Sequence, residues 1–510
     1  MRQGKDGHNH VSQSFAYARQ VPRLRVLAYL QPVYVEYTEK VVAYIVRLET
    51  GSRFLVKSHQ QLVELMVIEH LDVYVKELYG KRGYIWLEEA IASKDCKGFI
   101  AESSKQLVSL SIRHKNGKKS RTTVKIISAR CWEYDCTVDM EFLRTIRMVF
   151  DLYGWGVHPS PGALGYESMS QHHKSQGFRP ISRPSAMLRK KLFDYSSGGR
   201  ADDFSLSTQY RKVWVSDADN SYASQAANGV PSGREVPCEC IGFKDVFTSD
   251  TTILEEFRAS WCQARITIPV DFHNKISPIY KRESSGLLRW ITTPGVYEGY
   301  WWSDMIARCI RAGFIVELAY CWCWRELDKF LVEWILEIIE LREWLRNQPK
   351  YKRVADIVKR IIVSAIGRFG MHDSTTTLIL REHRQEGDEP FMNLNAVDDE
   401  PLSTPYYTRT VDEPDSKNLT QVASYIIMKN NVALYDRAIG EELNGNEVIS
   451  TNYDSIVTTK PPTLEVSRGL GKWKVEVHNH YTQKGLRSHE SDESTKRPGV
   501  KRLKVDNSSR

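Results

Sequence analysis

Residues 447–459, EVISTNYDSIVTT, set two β-branched runs, Val448-Ile449-Ser450-Thr451 and Ile456-Val457-Thr458-Thr459, around a short polar interruption. β-Branched side chains favour extended backbone, and two such runs this close together join as a hairpin. The segment commits this part of the chain to antiparallel sheet and puts a carboxylate, Asp454, at the tip of the turn. Asp and Asn favour turns because their side chains bond neighbouring amides, so a turn role accounts for Asp454 by itself. A chemical role would require a second acid, a phosphate-binding cation and a nucleic-acid-friendly surface elsewhere.

The rest of the chain mixes strands with helices, and the expected fold class is α/β (α+β). At 510 residues it exceeds one compact core, which predicts two to four domains or subdomains. Short apolar runs between about 21 and 130 predict a sheet interrupted by a helix over 59–79. Residues 138–154 have helical spacing through Phe142, Ile146 and Phe150 and stop at Gly154. The Gly/Ser/Pro-rich stretch 155–185 reads as a connection between domains. RKVWVSD, 211–217, reads as a buried strand that ends on an acid, Asp217. Helices are predicted over 325–347, 352–369 and 419–443, with the polar stretch 372–418 as a surface excursion.

Lys and Arg number 71 against 63 Asp and Glu, a net charge of +8 that fits a polyanion partner if the excess is local. Nine cysteines with Cys-x-Cys rather than Cys-x-x-Cys pairs argue against zinc and for reduced, part-buried thiols. No apolar run is long enough to span a bilayer, and MRQGKDGHNHVSQS lacks the apolar segment of a secretory signal. A soluble intracellular protein is expected.

Two further stretches bear on Asp454: VWVSDADNSYASQ (213–225), a strand ending at Asp217 with Tyr222 five residues on, and KRIIVSAIGRFG (359–370), a helix carrying Lys359. In this order the three resemble the polymerase motifs of family B DNA polymerases, most closely the phage, linear-plasmid and protein-primed branch. DADNSYAS matches Asp-x-x-Ser-Leu-Tyr-Pro-Ser at Asp217, Tyr222 and Ser224. KRIIVSAIG keeps Lys359, Ser364 and Gly367 of Lys-x-x-x-Asn-Ser-x-Tyr-Gly, and NYDS keeps the second acid and Ser of Asp-Thr-Asp-Ser. YSSGGRAD (195–202) is similar to the Tyr-x-Gly-Gly linker element, LGKWKVE (470–476) to the segment after the last motif, and GYWWSDMIARCIRAGF (299–314) to that ahead of the fingers. Each pattern alone is weak; six in order, across about 190–500, are specific.

The resemblance implies a right-hand palm and fingers, an N-terminal RNase H-like exonuclease-type domain, and template-directed addition of deoxynucleotides to a primer 3′-hydroxyl. Such phosphoryl transfer uses two divalent cations about 3.5–4 Å apart, Mg²⁺ or Mn²⁺, suited to oxygen ligands. The implied metal ligands are Asp217, Asp454 and Asn452, the first two catalytic. Lys359, Tyr222, Ser221, Ser364 and Arg353 are the implied nucleotide ligands, with Tyr222 under the incoming sugar. Tyr195, Gly198, Gly199, Arg200, Lys472 and Lys474 are the implied DNA contacts. The partners implied are template-primer DNA, deoxynucleoside triphosphates and a terminal, priming or processivity protein, with no membrane, in a chain of viral, plasmid or mobile-element origin. By residue type alone, Lys359 fits a solvated helix face, Tyr222 packing and Gly198-Gly199 a turn. Arg342, Arg346, Lys350, Lys352 and Arg353 fit either a triphosphate path or an exposed tip.

The pattern departs from the family where Asn452, Val363, Ile366 and Ala223 stand in place of Asp, Asn, Tyr and Pro. The exonuclease acids reduce to Glu36, Glu88 or Glu89, and a misspaced Tyr134 and Asp139, a set unable to hold two metals. The expected organisation is an inactive exonuclease-like domain at 1–190, palm at 191–324, fingers at 325–370, and palm with a short basic tail at 371–510, the thumb short or absent. A catalytically degenerate homologue acting as a DNA-binding or regulatory scaffold is the alternative. A reverse transcriptase or RNA polymerase is disfavoured by Tyr222 and by the lack of a Tyr-x-Asp-Asp box.

Overall fold

A computed structural model describes the chain continuously over residues 160–176, 183–205, 209–239, 246–282, 288–370 and 418–485, and in shorter pieces elsewhere. In chain order come strands β1 (Leu27–Tyr34), β2 (Val41–Leu48), β3 (Arg53–Val56), β4 (Val73–Lys76), β5 (Phe99–Ser104), β6 (Leu107–Arg113) and β7 (Lys119–Ser128). Helices α1 (Met140–Tyr153), α2 (Pro161–Ser175) and α3 (Ala186–Tyr195) follow, then β8 (Ala201–Asp203), β9 (Val213–Ala218) and α4 (Ser221–Ala227). Next are β10 (Val236–Glu239), β11 (Ala259–Ile268), β12 (Gly295–Trp302), α5 (Ser303–Arg311) and β13 (Ile315–Trp324). The chain continues through α6 (Val332–Arg346), α7 (Lys352–Arg368), β14 (His372–Leu380), β15 (Glu389–Pro390), β16 (Tyr406–Pro414) and α8 (Thr420–Leu443). Strands β17 (Val448–Asn452), β18 (Ser455–Thr458) and β19 (Trp473–His478) complete the part that positions the site.

The chain divides into two compact units, one of residues 1–177, 336–365 and 373–413 and the other of the remainder. In the first, seven strands lie in the order β3-β2-β1-β4-β7-β6-β5. β4 runs parallel to both β1 and β7, and the outer pairs are antiparallel. The expected helix over 59–79 is cut short by β4. Val73 and Val75 alternate in a strand parallel on both sides, where β-branched residues fit better than in a helix. α1 buries Phe142, Ile146, Val149 and Phe150, the stripe its spacing predicts, and Phe150 meets Trp132 edge-on at 5.3 Å.

Residues 155–185 are not only a connection. Ser160 accepts from the Ala163 amide at 3.2 Å and Pro161 occupies the first turn, so this segment starts a helix, α2. Its glycines serve packing against α7. A Cβ on Gly165 would lie 2.7 Å from the Ile361 carbonyl, and one on Gly162 2.9 Å from that of Ser364. The stretch 372–418, read as a surface excursion, carries a sheet, β14-β16-β15. Its β-branched run Thr375–Thr377 and the Tyr406–Thr410 run lie on strands, a local signal that the polar composition obscures.

Two sheets of the second unit bear on the site. One has the order β10-β13-β11-β12 and carries most of the core: Trp261, Trp302, Leu318 and Trp324 with Tyr425, Met428 and Val432 of α8. The stretch 299–314 holds the end of β12, α5 and Gly313 at φ +83°, and leads into β13. The described cysteines are free, with Cys262, Cys309, Cys321 and Cys323 buried, as their residue pattern suggests. The other sheet has the antiparallel order β19-β9-β18-β17-β8. α6 begins later than the sequence reading, at Val332, because the Asp328 carboxylate accepts from the Phe330 amide at 2.9 Å and turns the chain first. No helix among the described residues is long and apolar enough to cross a membrane.

Gly165→Val is expected to lower stability by about 1–3 kcal/mol through overpacking against α7. Gly367→Ala, in the last turn of α7 with nothing near its Cβ position, is expected to gain up to about 1 kcal/mol. Denaturant unfolding followed by circular dichroism measures both.

Candidate functional site

β9 and β18 place the two sequence-predicted acids side by side. Asp217 lies opposite Ser455 across the antiparallel pair, and the Ala218 amide donates to the Asp454 carbonyl at 2.8 Å. Asn452 pairs with Ser455 on one side and Ala201 on the other, while Lys474 pairs with Asp217. Directly opposed residues share a sheet face, so Ala201, Asn452, Ser455, Asp217 and Lys474 form one row across five strands.

The hairpin closes on Tyr453-Asp454. Tyr453 adopts φ +59° and the Asp454 amide donates back to the Asn452 carbonyl at 2.7 Å, a γ-turn-like closure. For a residue with a bulky side chain the left-handed region costs about 1–2 kcal/mol. Surrounding contacts hold it there. The Tyr453 amide donates to the Arg200 carbonyl at 2.7 Å, and its own carbonyl accepts from the Asn430 side-chain amide. A Cβ on Gly199 would come within 2.4 Å of the Tyr453 ring and 2.7 Å of the Tyr222 hydroxyl, so only glycine lets the linker pass between them.

Asn430 and Asn431, neighbours on α8 that are 0% and 1% exposed, extend this network. Asn430 Oδ1 accepts from the Ser221 hydroxyl at the start of α4. Asn431 Oδ1 accepts from the Arg200 amide at 2.7 Å, and its Nδ2 donates to Ser197 Oγ at 3.0 Å and the Gly198 carbonyl at 2.9 Å. One helical turn thereby ties together the Tyr-Ser-Ser-Gly-Gly linker, the turn bearing Asp454 and the helix after Asp217. The sequence reading did not single these residues out. Two adjacent asparagines inside a long helix, where they are poor formers, were the available signal.

Lys474 Nζ lies 3.4 Å from Asp217 Oδ2 and 3.7 Å from Glu476 Oε1. Burial alone would lower the Lys474 ammonium, but Asp217, Glu476 and Asp219 outweigh it and hold it above the ordinary lysine range. Among the described residues no group of three or more His, Cys, Asp or Glu is placed to share a metal ion. The oxygen donors are the carboxylates of Asp217 and Asp454 and the Asn452 amide oxygen, which is buried and accepts no hydrogen bond among the described residues. Oxygen donors suit Mg²⁺, and a buried acceptor without a donor is one that a cation satisfies. The set therefore fits a hard divalent cation.

The other sequence-predicted residues divide. Tyr222 is half-buried, its hydroxyl near Gly199. Ser221 is buried with its hydroxyl committed to Asn430, so it is part of the scaffold. Arg200 differs from the exposed residues of the linker. Its side chain is fully buried, paired with Asp202 at 2.6 Å, bonded to the Ser277 carbonyl at 2.8 Å and set over the Trp290 ring. Tyr195 is exposed and packs on Tyr300 at 4.6 Å, with Lys191 over both rings and Arg282 bonded to the Ser196 carbonyl. Gly198 is exposed with open space at its Cβ position. Lys472 is exposed, its carbonyl bonded to the Asp219 amide at 2.8 Å. In the first unit, Lys359 is exposed on α7 and Ser364 is half-buried against Gly162. Arg353 pairs with Glu141 at 3.8 Å and lies over the Phe142 ring. Glu36, Glu88, Glu89, Tyr134 and Asp139 lie outside the described residues.

Three structures of phi29 DNA polymerase share this fold. The complex with primer-template DNA and incoming nucleotide aligns with 92% of this chain and 88% of its own length, at a TM-score of 0.63 and 12% identity. An orthorhombic crystal form aligns over 95% and 90%, and a complex with single-stranded DNA over 95% and 89%, at TM-scores of 0.65 and 0.64 and 12% identity each. The resemblance to family B polymerases read from the motifs holds for the backbone, in a chain of divergent sequence. No protein-family model and no curated protein matches the sequence.

Asn430→Ala is expected to cost about 1–3 kcal/mol, since it removes the partner of the buried Ser221 hydroxyl and of the carbonyl of half-buried Tyr453. Adding Ser221→Ala to that background is expected to cost less than Ser221→Ala alone, a coupling that a double-mutant cycle in denaturant unfolding reads directly.

Proposed function

We propose that this chain, with the fold of phi29 DNA polymerase, is a template-directed DNA polymerase of the family B type. The observation that carries the reading is the pairing of β9 with β18, which brings Asp217 and Asp454 to adjacent positions at the end of one sheet. In this reading Asp217 and Asp454 hold a divalent cation, Mg²⁺ or Mn²⁺, with the Asn452 oxygen beside them. When bound, the cation neutralises charge on the transferring phosphate and activates the primer hydroxyl. The protein's own contribution is position. The two acids are fixed by sheet register and by the asparagine pair on α8, so their placement costs no reorganisation at the moment of reaction.

Tyr222, backed by Gly199, is proposed to pack under the incoming sugar and to exclude a 2′-hydroxyl. Lys359, exposed on α7, is proposed as a triphosphate ligand, for which a lysine donates charge-assisted hydrogen bonds. The exposed Tyr195, with Lys191, Tyr300 and Arg282 around it, offers stacking and charge to a single strand. DNA and deoxynucleoside triphosphates are the proposed partners, with a terminal or processivity protein as a further one. The N-terminal unit is proposed to lack proofreading. A non-catalytic DNA-binding scaffold is the second reading, favoured by the hold of Lys474 on Asp217.

The test is primer extension on a primed single-stranded template with Mg²⁺ and labelled deoxynucleotides. The intact chain is expected to extend the primer without shortening it. Asp217→Ala and Asp454→Asn are each expected to lose at least about 10²-fold in rate, the scale seen when preorganised charge is removed. DNA binding without extension by the intact chain would select the scaffold reading.

A further inference from the structure

The four-stranded sheet of the second unit gathers its thiols on one face. Cys238 of β10 pairs directly with Cys321 of β13, and Cys321 pairs on its other side with Cys262 of β11. Directly opposed residues share a face, as do residues two apart on one strand, so Cys323 and its partner Ser260 join the same cluster. Cys262, Cys321 and Cys323 are fully buried, while Cys238, on the edge strand, is half-buried. A hydrogen bond from Cys321 holds the Cys323 thiol below the ordinary range; burial opposes this, and Ser260 and Cys238 add to it. Cys309, on α5 and not on the sheet, is the contrast: burial pushes its thiol well up.

We infer that Cys238 and Cys321 form an oxidation-sensitive dithiol that a peroxide converts into a cross-strand disulfide. Antiparallel partners sit about 4.5–5.5 Å apart at Cα, inside the roughly 4.4–6.8 Å that a disulfide spans. Cys323 lies on the diagonal from Cys238, at about 7–8 Å, so it is a hydrogen-bond partner and not the bridging residue. Cys262 has the same register with Cys321, but both are sealed from solvent, and Cys238 is the thiol of the row that an oxidant reaches. The Cys238 sulfur attacks a peroxide oxygen, breaks the O–O bond and becomes a sulfenic acid. Cys321 then attacks the Cys238 sulfur, and the hydroxyl leaves as water with the Cys321 proton. The two thiols have then given two electrons to the peroxide. Because the loop closed by this bond contains β11, β12 and α5, the bond fastens the whole sheet against unfolding. A bridge fits these thiols better than a metal, since no group of three among the described residues is placed to share an ion.

The test treats the reduced intact chain with hydrogen peroxide, alkylates the remaining thiols and maps the unreduced digest by mass spectrometry. A peptide pair linked through Cys238 and Cys321 is expected, with Cys309 recovered as alkylated thiol. Cys238→Ser should lose the link. A chain with Cys240→Ser and Cys323→Ser, which leaves Cys238 and Cys321 as the thiols of their two segments, should keep it. Dithiothreitol should reverse it, and the oxidised chain should unfold at higher denaturant than the reduced one. A link through Cys323 or Cys240, or Cys238 recovered equally as alkylated thiol before and after peroxide, would overturn the inference. A zinc ion per chain that protects these thiols from peroxide would overturn it in favour of a metal site. An oxidised chain no harder to unfold than the reduced one would overturn the role of the bond as a staple. Primer extension is read separately, so failure here leaves the polymerase reading standing. Circular dichroism of each variant separates loss of fold from loss of the link.

Discussion

The side-chain amides of Asn430 and Asn431 are the interaction on which the geometry of the site depends. Both are buried, and between them they contact the Ser221 hydroxyl, the Tyr453 carbonyl, the Arg200 amide, Ser197 and the Gly198 carbonyl. Of these, Ser197, Arg200 and Ser221 are buried, and each such group left unpaired would cost about 1–3 kcal/mol. A satisfied buried network has a single geometry, and that geometry is imposed on the turn bearing Asp454. The positive φ of Tyr453 is held by the same network, which is how a strained turn persists in a folded chain.

Much of this was legible before any coordinates. The hairpin at 447–459 followed from β-branched runs around a polar turn, and the strand ending near Asp217 from a short apolar run that stops on an acid. The helices α7 and α8 followed from the spacing of their apolar residues. What was missed depends on contacts between distant residues. Nothing in YSSGGRAD says that Arg200 is fully buried over Trp290 while Tyr195 is exposed, because both are amphipathic side chains that can go either way. The Gly/Ser/Pro content of 155–185 hid α2. There the glycines mark a close helix–helix approach and the proline a helix start, the same residue types that mark a loop in another context.

Glycine recurs wherever chain must pass close to the site. Gly199 lies against Tyr453 and Tyr222, and Gly471, at φ +72°, lies against Ser224 with only 2.7 Å to spare for a Cβ. The first lets the linker thread past the turn, and the second lets the loop before β19 fold onto α4. Both therefore bear on register, one at β8 and one at β19, the two edges of the five-stranded sheet.

Register is also what gives the charge row its meaning. Side chains alternate between faces along a strand, so a slip of β19 by one residue would present Trp473 or Val475 to Asp217 in place of Lys474. A slip of β18 would likewise replace Ser455 opposite Asp217 and carry Asn452 out of the row. The acid, the amide and the ammonium are thus not three independent features. They are set by three strand pairings, β19 with β9, β9 with β18 and β18 with β17, and the asparagine pair on α8 and the Gly471 loop hold the hairpin and the β19 edge.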